Sequence, residues 1–170
     1  MRYVILLRGV NVGGVTVRMA EVADAFREAG FTEVRTVLAS GNVLVTSDAD
    51  AASVKNTAEQ TLRARFGYGA WVHVLTVDAV RRIIDAYPLG RGRDGWRDYV
   101  LFVPDAAVRA QIAATPVDAA HERLAVGEGV VYWTVPKGDT LASAVGKLLG
   151  KAAFKPHLTS RNLNTLDKLV

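Results

Sequence analysis

Three polar stretches mark where this chain could do chemistry. The first is Leu7-Arg8-Gly9-Val10-Asn11-Val12-Gly13-Gly14, where one arginine precedes six residues that hold three glycines and one asparagine. The others are Ser40-Gly41-Asn42 and Ser160-Arg161-Asn162-Leu163-Asn164-Thr165. Glycine allows a ligand to approach the backbone closely. A guanidinium grips a phosphate or carboxylate with two parallel hydrogen bonds, and asparagine amides with backbone N–H groups complete a cradle. Arg8, Asn11, Gly13, Gly14, Ser40, Asn42, Arg161, Asn162 and Asn164 are therefore the candidate ligand contacts, expected to form one site. The same residues have structural readings. Arg8 could bridge loop carbonyls, because a glycine loop needs internal hydrogen bonds. Thr159 or Ser160 could cap a short helix, with Arg161 paired to a neighbour.

Other chemistries find little support. The first loop lacks the Lys followed by Ser or Thr of a Walker loop, and its glycine spacing is not that of a dinucleotide fingerprint. Ser40 precedes a glycine without the nucleophile-elbow pattern. His73, His121 and His157 stand apart, with no partner at ligand or triad spacing. His157 lies nearest a polar stretch, in Lys155-Pro156-His157-Leu158, and is the first candidate general acid. No paired acids or metal-ligand cluster stand out, so neither metal nor cofactor is expected.

The chain has 170 residues, half of them apolar, and no cysteine. A domain of this size buries roughly 70% of its unfolded surface without a staple. The missing cysteines exclude a disulfide, a thiolate metal site and a cysteine nucleophile, and a reducing compartment follows as the expectation. No apolar run approaches the roughly 18 residues of a membrane span, and Met1 to Leu7 is too short for a signal-peptide core, so a cytoplasmic protein is expected. The net charge is +4, modest for a nucleic-acid binder. Basic residues crowd locally: Arg81, Arg82, Arg91, Arg93 and Arg97 in the middle, and Lys147, Lys151, Lys155, Arg161 and Lys168 near the end.

The elements that must position these residues follow from periodicity. Tyr3 to Leu7 is a short apolar run suited to a strand buried on both faces. Val22, Ala23, Phe26 and Ala29 recur at helical spacing from Met19, expected to pack in the core, until Gly30. Val34–Leu38 and Val43–Thr46 read as a hairpin around Ala39 to Asn42, where glycine and asparagine tolerate positive φ. Val54, Ala58, Leu62 and Phe66 give a second helix closed by Gly67, Trp71–Leu75 a strand, and Thr76 the cap of a helix carrying Val80, Ile83 and Ile84. Gly90 to Gly95 is the linker candidate. Tyr99–Val103 is then a strand, Asp105 starts a helix, and Arg123–Val126 and Val130–Thr134 flank a Gly127-Glu128-Gly129 turn. Leu141, Val145, Leu148 and Leu149 read as a last long helix, and Leu163, Leu166 and Leu169 as a short terminal one.

The order repeats a β-α-β-β plan, so the expected fold is α+β: two related ferredoxin-like split β-α-β halves packed as one compact body, with a C-terminal helical segment. The expected halves are residues 1–89, carrying the glycine loop, and 96–170, carrying the terminal helices, or one integrated domain. The crossover makes the first two strands parallel, so Ser40-Gly41-Asn42 should lie beside the loop leaving the first strand.

Leu6 to Gly14, Met19-Ala20-Glu21, Gly30-Phe31, Val34-Arg35-Thr36, Ser40 to Val43, Ser160 to Thr165 and Lys168-Leu169 together resemble the bacterial domain of unknown function family 1697 (DUF1697). The family usually has an aromatic residue where this chain has Leu163, and a proline where it has Arg18. The resemblance implies an α+β protein of two related ferredoxin-like halves, and no reaction.

The functional expectation is a binding module for a phosphorylated ligand, either a nucleotide or a nucleic-acid backbone. Trp71, Tyr99 and Trp133 are strand aromatics that could stack on a base or fill the core. The alternatives are an enzyme acting on a small anionic substrate, and a structural or interaction protein in which the three stretches only hold the fold together.

Overall fold

The computed structural model describes residues 1–10, 14 and 16–170. Two compact units divide the chain, Met1–Arg81 with Lys168–Val170, and Arg82–Asp167. The division falls inside a helix, and the glycine-rich segment 90–95 belongs to the second unit.

In the first unit the chain runs β1 (Arg2–Arg8), α1 (Met19–Glu28), β2 (Thr32–Val37), β3 (Asn42–Thr46), α2 (Ala51–Phe66) and β4 (Trp71–Thr76), entering α3 (Val77–Asp85). The strands form one four-stranded sheet in the order β2-β3-β1-β4, with every neighbouring pair antiparallel. β1 and β2 therefore run in the same direction with β3 between them, as the crossover through α1 requires. Tyr3 to Leu7 are buried throughout. Ile5 and Leu7 of β1 share one core with Val22 and Phe26 of α1 and Val54 and Leu62 of α2, and Met19 packs against it. Gly67 ends α2 in the left-handed conformation, and the Thr76 hydroxyl accepts from the Ala79 amide at the start of α3.

The second unit repeats the arrangement with β5 (Trp96–Phe102), α4 (Ala106–Ala113), β6 (Arg123–Gly127), β7 (Val130–Pro136), α5 (Ala144–Leu149), a 3-10 turn at Lys155–His157, β8 (Thr159–Asn162) and α6 (Leu163–Asp167). Its sheet has the order β6-β7-β5-β8, again with antiparallel neighbours. Asp105 caps α4 through the Ala107 and Val108 amides, and Leu101, Ile112, Val131, Trp133 and Val145 share its core. Among the described residues the protein is thus an α+β fold of two four-stranded antiparallel sheets and six α-helices.

Three sequence expectations need correction. Thr159–Asn162 is a strand where a helix cap was expected. It pairs with Tyr99–Phe102, and its Thr-Ser-Arg-Asn sequence has no apolar alternation to announce it. The last long helix is only Ala144–Leu149, capped by the Ser143 hydroxyl at the Gly146 amide, 3.0 Å. Leu141 lies before it and is 86% exposed. In the β2–β3 turn the positive φ values belong to Leu38 and Gly41, while Asn42 is the first residue of β3.

Candidate functional site

Arg8 closes β1 and is half-buried, and burial lowers its guanidinium pKa from the ordinary arginine value. Beside it the chain leaves the sheet against the β2–β3 turn. The Leu7 amide donates to the Gly41 carbonyl at 2.7 Å. A Cβ at Gly41 would stand 2.9 Å from Leu7 Cβ and 3.2 Å from Val10 Cγ2, and φ there is +88°. Only glycine lets the turn approach so closely. The second polar stretch therefore does meet the exit of β1.

Within that turn the Asn42 side chain is fully buried, and its Nδ2 donates to the Val37 carbonyl at 2.9 Å and to Ser40 Oγ at 2.8 Å. Asn42 thus builds the turn, and Ser40 carries the exposed oxygen at its tip. Gly14 has φ +82°; Asn11 and Gly13 lie outside the described residues. Arg18 occupies the N-cap of α1 in extended conformation and makes no side-chain cap hydrogen bond. A helix start carries the partial positive charge of its first amides, which suits an anion.

The third stretch belongs to the second unit. Arg161 lies on β8 opposite Val100 and is 7% exposed. Its Nη1 donates to Thr159 Oγ1 at 2.7 Å and to the Ser160 carbonyl at 2.8 Å. Desolvation lowers its pKa to about 10. Asn162 Oδ1 accepts from the Asn164 amide at 2.9 Å, so Asn162, and not Thr159 or Ser160, turns the chain into α6. Asn164 Oδ1 accepts from Arg91 Nη2 at 3.2 Å, and Arg91 also pairs with Asp167. Arg8, Gly14, Ser40 and Asn42 thus belong to one unit, and Arg161, Asn162 and Asn164 to the other.

Sequence reasoning overlooked a polar cleft of about 410 Å³ in the second unit, lined by Arg93, Trp96, Arg97, Lys137, Asn162 and Asn164 among others. The crowding of Arg91, Arg93 and Arg97 around Gly92 and Gly95 was the available signal, but Lys137 is remote from them in sequence. The histidines stay apart. His157 is exposed on the 3-10 turn, His121 Nε2 lies 3.7 Å from Asp118, and the His73 ring is 6.2 Å from that of Trp71. No group of His, Cys, Asp and Glu among the described residues could hold a metal ion. Trp133 is core: it is buried, stacked on Tyr99 at 5.1 Å, and its Nε1 donates to Glu122 Oε1 at 3.2 Å. Trp71 is half-buried with the Lys55 ammonium 4.6 Å above its ring. No described helix is long and apolar enough to cross a membrane.

Fold and site together define an α+β protein with a glycine turn packed against the exit of its first strand. The model of a family of proteins of unknown function, DUF1697, matches residues 1–132, and the chain belongs to that family. The match includes the first two polar stretches and ends before the third. Among solved structures, the conserved bacterial protein SP0830 from Streptococcus pneumoniae is 26% identical with a TM-score of 0.83, covering 99% of this chain and 95% of that one. No curated protein matches the chain.

Proposed function

We propose that the protein binds a phosphorylated ligand, a nucleotide or a nucleic-acid backbone, at the glycine loop of its first unit. The observation that carries this reading is Arg8, a partly desolvated cation at the end of β1, on a strand exit against which the Ser40-Gly41 turn is packed. A guanidinium already shielded from water binds an oxyanion more strongly than one fully hydrated. In this reading Gly41 and Asn42 build the turn. Arg8, Asn11, Ser40 and the amides of Gly13 and Gly14 hold the phosphate.

The same reading treats each unit as a ferredoxin-like half, supported by the β-α-β-β order and the matching strand orders. It also takes the protein to be cytoplasmic, which a chain without cysteine suits.

Thermal unfolding against inorganic phosphate, nucleotides, sugar phosphates and short DNA and RNA tests the proposal. A ligand at about 100 times its Kd adds about 2.7 kcal/mol of stability. The expected shift is smaller in Arg8→Ala than in the parent by the glycine loop's share. If the partner is a nucleic acid, log affinity falls with log salt by about 0.7–0.9 per phosphate contacted. An Arg8→Ala variant that is shifted as much as the parent by every ligand would overturn the assignment, as would a parent that responds to none.

A further inference from the structure

We infer a second ligand site, the cleft of the second unit, and assign it to a small phosphate monoester. The inference rests on that unit alone and is independent of the glycine-loop reading.

The cleft is built before any ligand arrives. Gly92, Arg93 and Asp94 line it from a segment in which Gly90, Gly92 and Gly95 all take positive φ, between +74° and +78°. The Gly92 amide donates to Asp98 Oδ2 at 3.0 Å, and Arg91 is held by Asp167 and Asn164. The Lys137 amide donates to the Gly95 carbonyl at 2.8 Å. The Arg93 guanidinium lies 4.1 Å over the Trp96 ring. A cation fixed on an aromatic face loses less side-chain freedom when it binds an anion.

The chemistry of the lining selects the ligand. Arg93, Arg97 and Lys137 supply only donors. The Oδ1 atoms of Asn162 and Asn164 already accept, from the Asn164 amide and from Arg91. Each asparagine has both N–H donors of its amide to offer a ligand. Buried Asp98 already accepts from Tyr87 Oη at 2.7 Å, Thr134 Oγ1 at 2.9 Å and the Gly92 amide. The other lining acid, Asp94, is exposed. A site of many donors and few acceptors fits an acceptor-rich dianion, and two asparagine amides beside it fit the hydroxyls or carbonyls of the molecule that carries the phosphate. The volume, about 410 Å³, lies in the range of small-molecule pockets, roughly 300–1,000 Å³.

The experiment is calorimetric titration of the full chain with AMP, with adenosine as the uncharged control, alongside the indole N–H resonances of the tryptophans. AMP is expected to bind at least about ten-fold more tightly than adenosine, because the phosphate carries the charge-assisted bonds. It should shift the Trp96 indole and leave the buried Trp133 indole in place. Arg97→Ala and Lys137→Ala should each weaken AMP at least about ten-fold, and Arg8→Ala should leave this binding intact. Lys137 lies in a turn outside the sheet, so its variant reports on the site even if Arg97→Ala disturbs β5. Equal binding of AMP and adenosine, no binding of AMP, undiminished binding by Lys137→Ala, or loss only in Arg8→Ala would each overturn the assignment. The last result would place the AMP site at the glycine loop instead.

Discussion

The two units share a strand order yet secure their second helices in opposite ways. In the first, α2 is sixteen residues long and carries its own anchor: buried Glu59 accepts from the Val72 amide of β4 at 3.1 Å and pairs with Lys55 and Arg63 on the same helix. In the second, α5 has six residues and the anchor comes from outside it. Buried Glu122 accepts from the Ala144 and Val145 amides at 2.8 and 3.1 Å and from the Trp133 indole. The long helix adds hydrophobic contact along its length to ties from its own side chains, with Lys55 and Arg63 also donating to the Val72 and Ala70 carbonyls at 2.7 and 2.9 Å, whereas a helix of fewer than two turns depends on a carboxylate at its N-terminus. The lesson is that one topology tolerates a shrunken element once a buried acceptor replaces the lost packing.

The largest expected effect follows from that contrast. Glu122→Ala strands three donors, two of them backbone amides, and should cost about 4 kcal/mol in urea unfolding. Glu59→Ala strands the Val72 amide and two cations that reach solvent, and should cost about 2 kcal/mol. Equal losses would break the comparison.

Glycine substitutions sharpen it. A Cβ at Gly146 would lie 1.7 Å from the Thr140 carbonyl oxygen, so Gly146→Ala must push the turn before α5 away, at about 3 kcal/mol. Gly41→Ala meets a softer obstacle, the Leu7 side chain, together with an unfavourable φ, and should cost about 2 kcal/mol. A smaller loss at Gly146 than at Gly41 would contradict the view that α5 is tightly seated.

Tyrosine hydroxyls give the smallest effects and a pH signature. Burial, together with the hydrogen bond to Asp98, pushes the Tyr87 pKa upward from its usual value near 10. The folded state then holds this proton where the unfolded state releases it. Stability from Tyr87 is complete below about pH 10 and declines above it. Tyr87→Phe should cost about 1 kcal/mol at pH 7 and make the decline above pH 10 shallower. Tyr68, in the first unit, has a buried hydroxyl with no hydrogen-bond partner among the described residues. Tyr68→Phe should be neutral or slightly stabilising in urea unfolding. A substantial loss at Tyr68 would show that its hydroxyl is satisfied in solution.

The parts of the fold legible in the sequence are those where periodicity and punctuation agree. Val54, Ala58, Leu62 and Phe66 with Gly67 gave α2 to its last residue, Thr76 was visible as a cap and Asp105 as a helix start. β8 was not legible, because its alternation is carried by Thr159 and Arg161, polar side chains buried by tertiary pairing. The same holds for Asn42: its composition signalled a turn ligand, but the structure gives its amide to Val37 and Ser40. The β2–β3 turn beside the exit of β1 was deducible from chain direction alone. The cleft joins Arg93 and Arg97 to Lys137 and Asn162 through antiparallel pairing of β5 with β7 and β8, a long-range match that local patterns do not encode.

The most direct test of the glycine-loop site is a phosphate titration followed by the backbone amide resonances of the full chain. The account predicts saturating shifts at Gly9, Gly14 and Ser40 that vanish in Arg8→Ala while the variant stays folded. Amides at these positions that do not move at saturating phosphate, or move equally in Arg8→Ala, would contradict it.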